Sequence, residues 1–262
     1  MTTTMISLAN AMAATARTML MEHFRGDFAV EIKTDRSPVS ELDRAVEQRL
    51  REMVADARPQ DGFIGEEFPD HQADAEFVWA VDPVDGTKFF VTGIPLFGTL
   101  IGLRHSSNYV MGIIDHSARG DRWTGIVGEG ASLNGTPITP RACHNIEDAI
   151  ASSSGPGVAD RASWQRMRPL QRACRWCMFG ADISDVGSLA SGDIDLIVDA
   201  GFGEDDWAAC AALVEAAGGR ATDWNGQPHS PSSDGTFLAV GDPALLEPAL
   251  EMLSQNRSRA VE

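Results

Sequence analysis

The stretch that most constrains this chain is Trp79-Ala80-Val81-Asp82-Pro83-Val84-Asp85-Gly86-Thr87. Its apolar start predicts a short buried strand, and two aspartates three residues apart mark the end of that strand. Pro83 lacks the N–H that a strand ladder needs, and Gly86 permits a tight turn. The pattern fits either an Asx turn or a pair of carboxylates that binds a hard divalent cation and, through it, a phosphate. These nine residues alone do not decide between the two.

Composition and charge exclude several kinds of partner. The chain has 262 residues, of which 43% are hydrophobic and 23% charged, as is ordinary for a globular protein. A formal net charge of -17 argues against binding to a nucleic-acid backbone or to an anionic membrane surface. The sequence has no apolar run of about 18 residues that could span a bilayer, and its N-terminus lacks the pattern of a signal peptide. We therefore expect a cytoplasmic protein.

The cysteines fit a reducing compartment. Cys174 and Cys177 have the C-x-x-C spacing, but no second pair with the spacing of metal ligands follows them. They lie in an apolar run that continues to Phe179 and predicts a strand. We expect a structural role for both cysteines, with a redox or metal-binding role as the alternative.

The pattern of secondary structure changes near residue 140. Before it, two amphipathic helices are followed by consecutive antiparallel strands; after it, strands alternate with helices, which is typical of an α/β sheet. The predicted helices cover residues 5–24, 40–54, 184–191, 206–217 and 243–253. The predicted strands, besides the opening stretch, cover residues 28–32, 96–103, 109–114, 122–127, 150–152, 174–179, 194–198 and 237–240. We expect two halves, residues 1–140 and 141–262, packed as one unit.

Several acids lie at element ends, beside loops, where α/β sheets bind their ligands. They are Asp43, Glu66, Asp82, Asp85 and Asp206. If they converge, each pair about 5 Å apart costs about 3 kcal/mol at an effective dielectric constant of about 20, so cations must neutralise them. Oxygen ligands without a nearby His or Cys favour Mg²⁺ or Mn²⁺ over zinc. For Asp43 there is an alternative, because it also fits the acid of a capping box that begins at Ser40.

Three separated motifs resemble those of the inositol monophosphatase family. They are Gly65-Glu66-Glu67, Asp82-Pro83-Val84-Asp85-Gly86-Thr87, and Asp205-Asp206-Trp207-Ala208-Ala209 with Gly218-Gly219. The resemblance implies an α/β fold, a layered α-β-α-β-α sandwich of the sugar phosphatase type. It also implies a Mg²⁺-dependent phosphomonoesterase, a small phosphorylated substrate and a homodimer.

The same resemblance implies roles for single residues. The implied ligands of two or three Mg²⁺ ions are Glu66, Asp82, Asp85, Asp206 and the carbonyl of Val84. Glu66 and Thr87 would orient the water that attacks phosphorus in line, and Asp43 would help to hold a weakly bound cation. The backbone amides of Gly86 and Thr87 would bind the phosphate. Asp205 departs from the family, which usually has Trp at this position.

Further segments resemble bacterial histidinol-phosphate phosphatases within this family. The longest are Ser37-Pro38-Val39-Ser40-Glu41-Leu42-Asp43-Arg44-Ala45 and Gly93-Ile94-Pro95-Leu96-Phe97-Gly98-Thr99-Leu100-Ile101. They imply that the substrate is L-histidinol phosphate. Asp199 matches an acidic substrate contact, and Asp182 adds a second acid that suits a cationic alcohol.

Two positions depart from these patterns, one from that of the family and one from that of the histidinol-phosphate enzymes, and leave the substrate open. Phe89 stands where the family usually has Asn or Ser, and Ser184, a candidate substrate contact, stands where these enzymes have an aromatic residue. Inositol 1-phosphate, another sugar phosphate or a nucleotide such as phosphoadenosine phosphate is therefore an alternative substrate. An alternative of another class is a non-catalytic, metal-binding scaffold on the same fold.

Overall fold

The computed structural model of the protein describes residues 2–32, 38–155 and 159–255. Most of the polar loop expected at residues 33–38 and most of the frayed tail expected from residue 254 lie outside these ranges. The helices in the described ranges are α1 (Thr3–His23), α2 (Glu41–Ala57), α3 (Thr87–Val91), α4 (Arg161–Ala173), α5 (Ser184–Ser191), α6 (Glu204–Ala217) and α7 (Leu246–Gln255). None of them is long and apolar enough to cross a membrane.

A first large sheet follows the chain order. Its strands are β3 (Gly62–Gly65), β4 (Phe77–Asp85), β5 (Gly98–His105), β6 (Asn108–His116), β7 (Asp121–Ile126), β8 (Gly130–Leu133) and β9 (Thr136–Ile138). Only the pair β3 and β4 is parallel. A separate two-stranded ribbon, β1 (Val30–Ile32) with β2 (Pro38–Ser40), precedes α2.

The second sheet has a mixed topology. Its strands are β10 (Ile150–Ser153), β11 (Trp176–Phe179), β12 (Leu196–Ala200), β13 (Arg220–Thr222) and β14 (Thr236–Val240), in the spatial order β11-β10-β12-β14-β13. The first three strands in that order are parallel to one another, and β14 is antiparallel to both of its neighbours.

Three hydrophobic clusters define five layers. The first lies between helices α1 and α2 and the first sheet, the second between the two sheets with α5 and α6 inside, and the third between the second sheet and helices α4 and α7. This arrangement confirms the predicted α-β-α-β-α sandwich. The division into halves at residue 140 stays a prediction.

Helix α6 lies unusually close to the first sheet. Gly102, Gly112 and Gly125 stand side by side on β5, β6 and β7 and leave room for it. A Cβ on Gly102 would lie 2.6 Å from the Cβ of Ala208, and one on Gly112 would lie 2.1 Å from the carbonyl oxygen of Ala209. Any larger residue in this row would push the helix away, so the glycines fix the position of its N-terminus against β4.

The elements around the opening stretch differ in detail from the prediction. β4 continues past Pro83 to Asp85, because a bulge between Asp82 and Asp85 shifts the register and accommodates the proline. α6 begins at Glu204, so Asp206 is its third residue. The capping box of α2 is present as predicted, with Ser40 and Asp43 bonded to each other.

The cysteines match a structural role. Cys174 is buried at the end of α4, and Cys177 is half-buried on β11. Burial raises the pKa of Cys174 to about 12 and that of Cys177 to about 11, so both are thiols at neutral pH.

Candidate active site

A cavity of about 470 Å³ lies where the end of β4, the start of α6 and the segment before α5 meet. In the part of the chain that the structure describes, its lining includes eight carboxylates and one basic side chain, that of Lys88. The acids are Glu66, Asp82, Asp85, Asp182, Asp185, Asp199, Asp205 and Asp206. Four of the five acids predicted to converge therefore line one cavity; the fifth, Asp43, lies behind its wall.

The bulge in β4 and the turn after it set one wall of the cavity. Oδ1 of Asp82 accepts a hydrogen bond of 2.9 Å from the amide of Val84. Gly86 has φ of 83°, and a Cβ there would lie 2.4 Å from the carbonyl oxygen of Leu96. Only glycine satisfies both conditions, so the turn that presents Thr87 depends on this residue.

Thr87 is held by Asp43. Its hydroxyl lies 3.0 Å from Oδ1 of Asp43 and 2.9 Å from the carbonyl oxygen of Val84. The other carboxylate oxygen of Asp43 accepts hydrogen bonds from the amide and the hydroxyl of Ser40. Asp43 is buried and does not line the cavity, so its contacts are those of a residue that positions Thr87.

Parallel pairing of β3 with β4 brings Glu66 beside Asp82. Gly65, the last residue of β3, pairs with Val81, which directly precedes Asp82. Glu66 therefore leaves its strand at the same level as Asp82 and lines the cavity. Its charge contributes to raising the pKa of Asp82, as expected for neighbouring carboxylates.

The first turn of α6 supplies two further acids. Oδ2 of Asp206 accepts a hydrogen bond of 2.8 Å from the amide of Gly203, so this side chain caps the N-terminus of α6. Asp205 lines the cavity as well, at the position where the family resemblance led us to expect Trp. Burial, with repulsion from Glu66 among its neighbours, raises the pKa of Asp205 to about 6.

The acids of the cavity repel one another. Burial raises the pKa of Asp82 well above its usual range, and the surrounding carboxylates raise it further. The pKa of Asp85 rises through burial and then through repulsion from Asp182. Burial, followed by repulsion from Asp205, does the same for Asp206. Such a group favours protons or cations, because its charges are desolvated without a counter-charge.

The donor set fits Mg²⁺. It consists of carboxylates and the carbonyl of Val84, all hard oxygen donors around one cavity. In residues 2–32, 38–155 and 159–255, no three such side chains already surround a common point. Burial raises the pKa of Asp85, and repulsion from Asp182 raises it further, so these two carboxyls are neighbours in the cavity. A divalent cation bound in the cavity would relieve this repulsion.

The predicted substrate contacts separate into two groups. Asp182 and Asp199 line the cavity, and so do Gly86 and Thr87. Asp182 has a left-handed backbone with φ of 48°, a conformation that aspartate adopts more readily than most residues. Ser184 is buried and does not line the cavity.

Asp185 takes the place expected for Ser184 but was not among the predicted residues. It is buried, and its Oδ2 accepts a hydrogen bond of 2.7 Å from the hydroxyl of Ser152. Burial raises its pKa to about 7. In the sequence it is one more acid in the first turn of a helix, so nothing marks it as a cavity residue.

Asp199 is the most firmly held of the substrate-side acids. Its Oδ2 accepts hydrogen bonds from the amide and the hydroxyl of Ser154, at 2.6 and 2.5 Å. Its Oδ1 lies 3.1 Å from the amide of Ala200. Three donors fix this carboxylate at the cavity wall, where it is in reach of a bound molecule.

Comparison with known proteins points to one family. The sequence model of the inositol monophosphatase family matches residues 1–257. The bifunctional phosphatase IMPL2, chloroplastic, of Arabidopsis thaliana is 31% identical over 256 residues, which cover 94% of this chain and 74% of that protein. The histidinol-phosphatase of Chlorobaculum parvum is 30% identical over 224 residues, 85% of this chain and 86% of the relative.

The fold has matches among solved structures. An inositol monophosphatase from Zymomonas mobilis superposes with a TM-score of 0.86 at 35% sequence identity, covering 95% of this chain and 97% of that one. Sequence and structure comparisons therefore agree on the family over nearly the whole chain.

Proposed function

The chain belongs to the inositol monophosphatase family and is a phosphoric monoester hydrolase, and from that premise we propose that its substrate is L-histidinol phosphate. Enzymes of this family depend on metal ions, generally Mg²⁺. We propose Mg²⁺ for this chain too, with Mn²⁺ as a substitute. We also propose a homodimer, as the family resemblance implies, and a cytoplasmic location, as the cysteines suggest.

The observation that carries the substrate proposal is the charge of the cavity. Among the residues that the structure describes, eight carboxylates and one lysine line the cavity, which leaves seven negative charges if all these acids ionise. Two Mg²⁺ ions would neutralise four of them, and a phosphate dianion would add two more. A substrate whose alcohol part is positively charged, as in histidinol phosphate, complements the excess. A neutral polyol such as inositol does not.

The chain's own residues divide the work of hydrolysis. Glu66, Asp82, Asp85, Asp206 and the carbonyl of Val84 would hold Mg²⁺, which when bound polarises water and the phosphoryl group. Thr87 donates its proton towards Asp43 and Val84, so the lone pairs of its oxygen can accept a hydrogen bond from water. Together with Glu66 it would aim that water at phosphorus.

Phosphate and alcohol would occupy opposite sides of the cavity. The amides of Gly86 and Thr87 lie on the wall formed by β4 and α3 and would bind phosphate oxygens. Asp199, on β12 of the second sheet, and Asp182, in the segment before α5, line the cavity as well and would face the alcohol. Phe89 lies in the same lining and offers a flat apolar face to an imidazole ring.

A second candidate is inositol phosphate hydrolysis. It is favoured by the likeness to the Zymomonas mobilis inositol monophosphatase, at 35% identity over 95% of this chain. The two candidates differ in the charge of the alcohol, so the acids on the substrate side should separate them.

A substrate panel tests the proposal. With saturating Mg²⁺, we expect kcat/KM for L-histidinol phosphate to exceed that for inositol 1-phosphate and phosphoadenosine phosphate by about tenfold or more, since each charge-assisted hydrogen bond contributes about 1.5–3 kcal/mol. Equal values for histidinol phosphate and inositol 1-phosphate would refute the substrate assignment and leave the phosphatase assignment intact.

Substitution of Asp199 by Asn sharpens that test. The Asp199→Asn variant should lose kcat/KM for histidinol phosphate by about tenfold more than for inositol 1-phosphate. Asp193→Asn, an exposed acid just after α5, is the matched control and should leave both values unchanged. Equal losses of kcat/KM on both substrates in Asp199→Asn would show that this carboxylate does not distinguish a cationic from a neutral alcohol.

A further inference from the structure

A second buried acid, outside the cavity, contacts the segment that carries Glu66. Glu47 lies on α2 and is completely buried. Its Oε2 accepts a hydrogen bond of 2.7 Å from the backbone amide of Glu67. The chain on both sides of Glu66 is thus anchored, by the pairing of Gly65 with Val81 in the sheet and by this bond.

Arg51 completes the contact from one turn further along α2. Its Nε donates to Oε1 of Glu47 at 2.7 Å, and its Nη2 donates to the backbone carbonyl of Phe68 at 3.1 Å. Its guanidinium also lies over the ring of Phe63, 4.5 Å from the centroid. The ion pair of Glu47 and Arg51 therefore forms hydrogen bonds with the main chain at two residues directly after the candidate ligand, Glu67 and Phe68.

Gly65 leaves the space that this arrangement needs. A Cβ on Gly65 would lie 2.4 Å from Oε1 of Glu47 and 2.5 Å from its carboxylate carbon. The carboxylate of Glu47 thus lies directly against the peptide that precedes Glu66. A side chain at position 65 would have to displace it and break its hydrogen bonds.

We propose that Glu47, compensated by Arg51, is a positioning residue that fixes the Glu66 backbone so that the Glu66 carboxylate meets the cations of the cavity. A buried ion pair is a weak source of stability, and apolar residues would fill its place at little cost. Here the ion pair serves to position the backbone, because its hydrogen bonds go to main-chain atoms next to a candidate ligand. Residues that orient metal ligands in this way typically change metal affinity by 10–100-fold when replaced.

The proposal rests on the metal-ligand role of Glu66, so the experiment measures metal binding itself. The probe is Mn²⁺, titrated into the full-length protein and followed by electron paramagnetic resonance. In Glu47→Gln we expect Mn²⁺ binding to weaken by about tenfold or more. The half-activating Mg²⁺ concentration should rise by a similar factor, while KM for the substrate at saturating Mg²⁺ changes by less than about threefold.

The same helix provides a matched control. Arg49 and Glu52 form an exposed ion pair, 3.4 Å apart, that does not touch β3. Glu52→Gln removes the same kind of charge and should leave Mn²⁺ binding unchanged. Hydrogen exchange adds a local readout: the amide of Glu67 should exchange faster in Glu47→Gln but not in Glu52→Gln.

Two further variants keep the test decisive. If Glu47→Gln does not fold, Gly65→Ala replaces it, because the added methyl group displaces the Glu47 carboxylate while both charged residues remain. Mn²⁺ binding within twofold of the native value in the folded variant overturns the proposal, whatever the melting temperature does. Glu66→Gln separates the two hypotheses. If Glu66→Gln binds Mn²⁺ normally, the proposed site is wrong. If Mn²⁺ binding is weakened in Glu66→Gln but not in Glu47→Gln, only the positioning role is wrong.

Discussion

Two groups of acids with little or partial solvent exposure differ in what neutralises them. Outside the cavity, Asp115 lies between Arg17 and Arg122 at 2.8 and 2.6 Å, and Asp195 faces Arg141 at 2.6 Å. Inside the cavity lie Asp82, Asp85 and Asp206, and in the described ranges none of these three forms an ion pair with Lys or Arg.

We propose that this difference separates structural acids from acids that would bind cations. Both groups lose their hydration on folding, which costs several kcal/mol for each ion. An arginine offsets that cost for Asp115 and Asp195, whereas the acids of the cavity leave it uncompensated until a cation arrives. Because the chain does not neutralise the acids of the cavity, a cation that binds there gains the free energy of neutralising them.

Substitution of Asp82, an acid of the cavity, should have the largest effect on activity. Asp82→Asn removes a candidate metal ligand, so we expect turnover to fall by about 10³-fold or more, since cation stabilisation of the transition state is worth several kcal/mol. Without metal the same variant should be at least as stable as the native protein, because the repulsion falls. Mg²⁺-dependent phosphate release and thermal unfolding measure the two effects, with the exposed Asp70→Asn as control. Near-normal turnover would show that the site is elsewhere.

The sequence predicts the acids of β4 well, because they are neighbours in one short motif. Asp82, Asp85, Gly86 and Thr87 need only a strand and a turn to come together, and both are encoded locally. Asp206 is more than a hundred residues away; its place at an element end made it a candidate, but only the family resemblance implied that it meets the others. What brings it there physically is the row of glycines under α6.

That row cannot be found by reading the chain in order. Gly102, Gly112 and Gly125 lie on three strands, and only the register of the finished sheet places them side by side. A similar limit applies to Ser184 and Asp185. Which of two adjacent residues faces the cavity depends on the rotational phase of α5, and this is set by packing that the local sequence does not encode.

Substitution of Asp115 should change the free energy of unfolding in the opposite direction from substitution of Asp82. The change from Asp to Asn is the same, and both side chains are buried. Asp115→Asn, however, leaves two guanidinium groups facing an amide, so we expect the free energy of unfolding to fall by about 3 kcal/mol. Denaturant titration without metal, at neutral pH, measures both variants. If both substitutions shifted stability in the same direction, the distinction between compensated and uncompensated acids would not hold.

Asp185 allows the smallest and most selective test. Its folded-state pKa is raised to about 7 by burial, against about 3.9 for an unfolded aspartate. As the pH rises between these values, the unfolded chain loses its proton first, so the native protein loses stability until the folded carboxyl has ionised as well.

Asp185→Asn cannot titrate and keeps an oxygen that can accept the hydrogen bond from Ser152. Without metal, its stability relative to the native protein should therefore rise by about 2 kcal/mol from about pH 5.5 to about pH 7, at about 1.4 kcal/mol per pH unit, and then level off. Urea titrations at several pH values measure this difference, with the exposed Asp56→Asn as a control that should give none. A difference that does not change with pH would mean that Asp185 is already ionised, with a cation from the solvent in the cavity, and would place it among the compensated acids.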